Sequence, residues 1–446
     1  MAGRRIAIVG GGSVMWTPII LANLAANERL GGSHIVLHDI DPGALALTYR
    51  FALAHQRRTA SALTFSQTTG QAEALEGADF VIVTISTGGL EAMRPDLEIP
   101  ERYGIFQTVG DTVGPGGISR ALRNIPVFLS LAQAMEERCP HAWLLNVSNP
   151  LSALTRVVAK ETGIRALGLC HGVVGVAQEY AQFFRVGLDH CAYVNSGLDH
   201  CAWFTEFVVD SRPAIDILRE KGLDAWLAKS PVEAKADPVF APLYGLRCGL
   251  LLGQQLGALP AIGDRHMVEF FPTFLQGLQN VDRYGLVRTT IADRERYYQS
   301  CRSRLLSWLD RPEALSTEAA SGREGDDVAA WVVALSGGPA VEDNVNAPNV
   351  GQIPELPLGA VVETRGLLDG AGFHPFTRSL PKQLAAVIYP HAVRGELVVE
   401  AGVEGDVGKA LAALTTDSLV AAVETARPML QDMMAANRRW LPQFGG

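Results

Sequence analysis

A short apolar run, Ile6-Ala7-Ile8-Val9, ends in Gly10-Gly11-Gly12-Ser13; a helical stretch follows, and a second apolar run, Ile35-Val36-Leu37-His38, ends in Asp39-Ile40-Asp41. This order of strand, glycine turn, helix, strand and acid is that of a dinucleotide-binding βαβ unit. Glycines let the backbone turn tightly and approach a pyrophosphate, and the helix N-terminus behind them favours negative charge. Gly10, Gly11, Gly12 and Ser13 are therefore candidate phosphate contacts. Asp39, or Asp41 as second choice, would accept hydrogen bonds from the adenosine ribose hydroxyls, and an acid there selects NAD over NADP. The turn departs from the full G-x-G-x-x-G pattern at Met15, and the spacing from glycine to acid is a few residues longer than usual, a difference Gly31-Gly32 can absorb.

Apolar runs alternate with helical patterns through the first 185 residues. The pattern predicts strands near 5–9, 34–38, 63–66, 79–85, 143–146 and 165–169, and helices near 14–28, 42–59, 118–137, 152–162 and 173–185. The expected fold is α/β: an N-terminal Rossmann-type, doubly wound parallel sheet over 1–186, followed by a C-terminal α+β domain over 187–446. In the second part, alternation around Trp203–Val209 predicts antiparallel strands. Helical segments are expected near 213–228, 246–257, 287–310 and 408–437, and Asn344–Asn349 is read as a turn-rich loop. The six cysteines form no C-x-x-C pair, which fits a reduced, cytosolic protein. A net charge of −9 without a dense basic cluster argues against nucleic acid, and no apolar stretch is long enough to span a membrane.

In such sheets ligands bind beyond the carboxyl ends of the strands, which directs attention to Ser86–Gly117, Asn146–Thr155 and Cys170–Gly172. The segment Asp111-Thr112-Val113-Gly114-Pro115-Gly116-Gly117 exposes amides at a helix start; its bland alternative is a helix entry with a proline in the first turn. Asn149-Pro150 ends a strand, with the Asn amide able to face cofactor or substrate. Arg94, Arg120 and Arg123 could meet an anion, although each alone is more often a surface residue. Cys170 and His200, if brought together, make a soft divalent-metal site with open positions. Asp264 and Glu269 form a further polar cluster.

Taken together, these segments resemble the NAD- and metal-dependent glycosidases of glycoside hydrolase family 4. The shared motifs run nearly the whole length: the glycine turn, Gly110–Gly117 with Arg123-x-Ile125-Pro126, Asn149-Pro150 with Thr155, Cys170-His171, Gly197-x-x-His200, Gly263-Asp264-Arg265-His266-x-x-Glu269, Asn349-x-Gly351-Gln352 and Val362-Glu363. The Cys-His and Gly-Asp-Arg-His versions are closer to the α-galacturonidase, α-glucuronidase and α-galactosidase branches than to the 6-phosphoglycosidases. The related NAD-dependent sulfoquinovosidases fit as well.

The resemblance implies an unusual hydrolysis. A hydride passes from carbon 3 of the sugar to NAD⁺, the ketone acidifies the proton on carbon 2, a base removes it and the aglycone is eliminated. Water then adds and the hydride returns, so no NADH accumulates. Carried over, Cys170 and His200 are the metal ligands, for Mn²⁺; Asp264 is the base at carbon 2; His171 contacts substrate or assists the leaving group. Asn149 meets cofactor and substrate, and Arg94 and Arg265 bind substrate. The expected partner is a small glycoside of an anionic sugar, a uronate or sulfoquinovose, acted on by a homodimer or homotetramer. One departure is Asp199, where the family pattern Gly-x-Asn-His has an amide. The duplicated Asp189-His190 offers a rival to His200, which we prefer because Trp203 and the strand after it match the family. Two other readings keep the nucleotide fold: an ordinary NAD-dependent dehydrogenase of a sugar acid or hydroxy acid, which leaves Cys170 and His200 unexplained, and an NAD-binding regulatory protein, for which the sequence shows no DNA-binding or partner module to act through.

Overall fold

The computed structural model describes residues 3–311 and 328–445. Among these residues thirteen strands join one sheet. In chain order they are β1 Arg5–Val9, β2 His34–His38, β3 Thr64–Thr68, β4 Phe80–Val83, β5 Trp143–Asn146, β6 Arg165–Gly168, β7 Cys191–Leu198, β8 Cys201–Val209, β9 Arg212–Pro213, β10 Leu259–Pro260, β11 Val341–Pro348, β12 Val361–Asp369 and β13 Gly372–Pro375.

The first six strands pair in parallel in the order β3-β2-β1-β4-β5-β6, the doubly wound order that reverses between β1 and β4. The largely apolar sequences of β1, β2, β4 and β5 follow from burial on both faces, whereas β3 at the edge of the sheet is polar and has no buried residue. Ala7 and Val9 of β1 pack with Val81, Val83 and the helix Gly114–Arg138, whereas Ile6 and Ile8 pack with Ile35, Leu37, Val14 and Phe51 on the other face. The period-2 alternation of one strand thus serves two cores. Both cover the sheet so that water reaches it chiefly beyond the strand ends, where the glycine turn lies.

The second half continues the same sheet in antiparallel fashion. Asn346 of β11 pairs with Gly168 of β6, β11 pairs with β12, β12 with β7, and β7 with β8. Strands β7 and β8 form a hairpin whose two linking residues are Asp199 and His200, the length that gives the tightest turns. This hairpin carries the chain back toward the carboxyl ends of the parallel strands.

Several elements differ from the sequence reading. The segment before Gly114, where the sequence pattern predicts no helix, holds the helix Gly89–Arg102, disguised by Pro95 and Pro100. The expected loop at Asn344–Asn349 is largely strand β11; its asparagines at 344 and 346 share a face and are buried, so tertiary pairing overrides their turn preference. The helix Lys382–Glu404, interrupted in pattern by Pro390, was not anticipated. The helix expected over 213–228 is two, parted at Gly222, which adopts a φ of 96° open to glycine. The one expected over 408–437 is likewise split, into Val407–Thr415 and Val423–Ala436.

Candidate active site

The glycine turn follows β1 at the point where the strand order reverses. Gly10 has a φ of 88°, and a Cβ there would lie 2.8 Å from the Thr84 carbonyl oxygen, so only glycine fits. The amide of Gly12 donates to Asp39 Oδ2 at 2.9 Å, which brings the acid at the end of β2 against the turn. Asp41 is committed elsewhere: its carboxylate accepts from Gly43 and Ala44 as the N-cap of the helix Pro42–Thr59. Of the two acids, Asp39 is the one whose carboxylate meets the glycine turn.

Beyond the strands lies a cavity of about 1090 Å³. Its walls include Trp16, Asp111, Asn149, Cys170, His171 and His200, with Arg265 and His266 across from them. The structure therefore brings Asn149, Cys170, His171, His200 and Arg265, all singled out from the sequence, to one cavity, while Gly10–Ser13 and Asp39 lie outside its lining. Trp16, not singled out, lies 6.2 Å from His171 ring to ring and joins the glycine turn to this wall.

Cys170 ends the loop after β6 and His200 comes from the β7–β8 turn, yet their ligand atoms, with a carboxylate oxygen of Asp199, lie within 4.8 Å of one another. His200 adopts a φ of 64°, a left-handed conformation costly for a non-glycine residue and common where a turn is held for function. Its Nδ1 is 2.7 Å from Thr112 Oγ1, and its ring lies 3.9 Å from that of His266. The rival His190 sits on the surface, its Nδ1 2.8 Å from Asp210. A thiol, an imidazole and a carboxylate are a donor set suited to a divalent transition metal, so the residues present fit such an ion.

Asp111, His200 and His266 form a second close group. Burial pushes the Asp111 carboxyl upward, but His266, His200, Arg120 and Arg294 outweigh it and hold the group well below the ordinary carboxylate range. Burial, with help from His200, pushes His266 below the ordinary imidazole range, and the Asp111 carboxylate beside it opposes that shift. The loop carrying Asp111 is fixed by Glu269, whose Oε1 accepts from the amides of Val109 and Gly110 at 2.7 and 2.8 Å. Sequence reading had noted Glu269 and Asp111 only within motifs; the glycine run after Asp111 and the spacing of Glu269 to His266 were the available signals.

Two assignments need correction. Asp264 does not line the cavity. Its carboxylate accepts the amides of Cys248 and Gly249 at 2.7 and 2.8 Å, capping the first turn of the helix Arg247–Leu256, and it is 6% exposed. Arg94 is also away from the site: it is exposed on the helix Gly89–Arg102 and pairs with Glu98 and Glu295 at 3.0 and 2.8 Å. Arg123 is structural, buried against Asp96 at 2.6 Å. Arg120 stays close, donating from Nε to the Asn149 carbonyl at 2.9 Å.

Residues 5–186 match the family 4 glycosyl hydrolases and residues 195–420 match the C-terminal domain of the same family. The chain belongs to glycosyl hydrolase family 4. It is 33% identical over 429 residues to an α-galacturonidase of Bacillus subtilis (strain 168), covering 93% of each chain. It is 30% identical over 466 residues to an α-galacturonidase of Lachnoclostridium phytofermentans, covering 98% of this chain and 97% of the relative. A solved 6-phospho-α-glucosidase from gut microorganisms, in complex with NAD and glucose-6-phosphate, shares the fold with a TM-score of 0.82 over 99% of both chains at 22% identity. Family membership makes this protein a glycosidase and removes the dehydrogenase reading. Among the described residues no helix is long and apolar enough to cross a membrane.

Proposed function

We propose that this family 4 glycosidase hydrolyses α-glycosides of an anionic sugar, foremost a galacturonide, by transient oxidation at carbon 3 with NAD and a divalent metal, Mn²⁺. The observation that carries this reading is the meeting of Cys170 and His200 in the same cavity as the glycine turn's Trp16 and the Asn149 loop. Two α-galacturonidases among the relatives, and Arg265 exposed on the cavity wall, favour a uronate over a neutral sugar. When bound, NAD supplies a reversible hydride acceptor and the metal polarises the hydroxyl oxygens at carbons 2 and 3.

The chain's own residues do the rest. Gly10, Gly11, Gly12 and Ser13 offer turn amides to the pyrophosphate, and Asp39 accepts from the ribose. Cys170 and His200 hold the metal, and Asn149, with its carbonyl fixed by Arg120, faces cofactor and sugar. With Asp264 committed to its helix cap, the proton on carbon 2 falls to His266. Its Nδ1 lies 3.9 Å from Asp111 Oδ1, a carboxylate placed to stabilise the imidazolium that forms. His171, at the start of the helix Gly172–Phe184, is placed to serve the leaving group. Six free cysteines support a reducing, cytoplasmic setting, and the exposed Tyr389 and Val393, one turn apart, support a homo-oligomer.

The test is to incubate protein, NAD⁺ and Mn²⁺ with aryl α-galacturonide, glucuronide, sulfoquinovoside and galactoside, following aglycone and NADH absorbance together. Fastest aglycone release from the galacturonide without accumulating NADH is expected. Stoichiometric NADH would contradict the redox-neutral cycle, and a preference for the galactoside would contradict the anionic sugar.

A further inference from the structure

Both carboxylate oxygens of Asp199 are buried, and among the described residues no N–H or hydroxyl group donates to either. Only the Cys170 thiol is directed at it, and His200 Nδ1 lies 3.7 Å from its Oδ2. A buried carboxylate is costly unless a donor or a cation compensates it. Its counterpart in the turn, His200, is held in the left-handed conformation, so the hairpin spends backbone strain to turn both side chains inward. Glu363 of β12, fully buried nearby, supplies no cation to compensate Asp199.

We propose that Asp199 is a third protein ligand of the divalent metal, completing with Cys170 and His200 a sulfur–oxygen–nitrogen set that binds the ion tightly before any substrate arrives. The inference rests on the metal reading above. The separations suit it: ligand atoms about 2.0–2.3 Å from one ion stand no more than roughly twice that apart, and these three lie within 4.8 Å of one another. Charge suits it as well. Metal entry displaces the thiol proton to solvent, and one thiolate with one carboxylate then balances a dication while the imidazole stays neutral. Three ligands on one side leave the remaining positions open for two sugar oxygens and water.

The experiment titrates Mn²⁺ into chelator-stripped protein, without NAD or sugar, reading free Mn²⁺ by its electron paramagnetic resonance. Wild type, Asp199→Asn and Cys170→Ser are compared, and Co²⁺ is added separately to read the thiolate-to-cobalt absorption band. Asp199→Asn keeps shape and volume and should weaken Mn²⁺ binding by about tenfold or more, while retaining the thiolate–cobalt band as proof of an intact site. Equal affinities for wild type and Asp199→Asn, with Cys170→Ser weakened, would overturn the role of Asp199 and leave the metal site standing. Equal affinities for all three, or no thiolate band in wild type, would overturn the Cys170–His200 site and this proposal with it.

Discussion

Asp39 is held by two hydrogen bonds, one from the Asp41 amide to Oδ1 and one from the Gly12 amide to Oδ2, the second of which clamps the end of β2 to the glycine turn. Replacing it with Ala removes both that clamp and the acceptor offered to the ribose. A charged hydrogen bond contributes about 1.5–3 kcal/mol, so NAD affinity should fall by roughly tenfold or more in a fluorescence titration; unchanged affinity would remove Asp39 from the cofactor site. The glycines and Asp39 were legible because the requirement is local: a tight turn and an acid at a set distance in sequence. Cys170 and His200 were legible only through the ordered motifs around them, since a separation of thirty positions in sequence says nothing about distance in space. His266 and Asp111 were missed as a pair for the same reason. Their meeting depends on Glu269 pinning a loop from another part of the chain.

At the level of elements, the misassigned Asp264 shows why an acid in a polar motif is ambiguous. Its two oxygens satisfy the first amides of the helix Arg247–Leu256, a structural task that sequence spacing does not distinguish from catalysis. Burial raises its carboxyl to about 7 against the capping bonds that lower it. A carboxyl that binds its proton more tightly folded than unfolded stabilises most below pH ~4 and loses that contribution as pH rises to ~7, a few kcal/mol at about 1.4 kcal/mol per tenfold in proton affinity. Asp264→Ala should therefore lower Tm most at pH 4–5 and less at pH 8, and should still exchange solvent deuterium into the product. Loss of that exchange with Tm unchanged would restore Asp264 as the base. Elements with strong periodicity, such as the parallel strands and the helix Pro42–Thr59, were legible. Those with internal prolines, or with asparagines paired deep in the sheet, were not, because their stability comes from partners distant in the chain.

For the whole molecule, one sheet serves two tasks. Its parallel half places the glycine turn and the Asn149 loop at the strand ends, and its antiparallel extension returns the Asp199–His200 turn to the same cavity. That arrangement makes a hydride acceptor and a metal-polarised sugar neighbours, which a glycosidase working by paired carboxylates has no use for. The direct test is hydrolysis of an α-galacturonide in heavy water, with the product examined by NMR. The account predicts deuterium at carbon 2 and none at carbon 3, because the carbon 2 proton goes to a base in exchange with solvent whereas the carbon 3 hydride returns from the cofactor. Hydrolysis with protium retained at carbon 2 would contradict it.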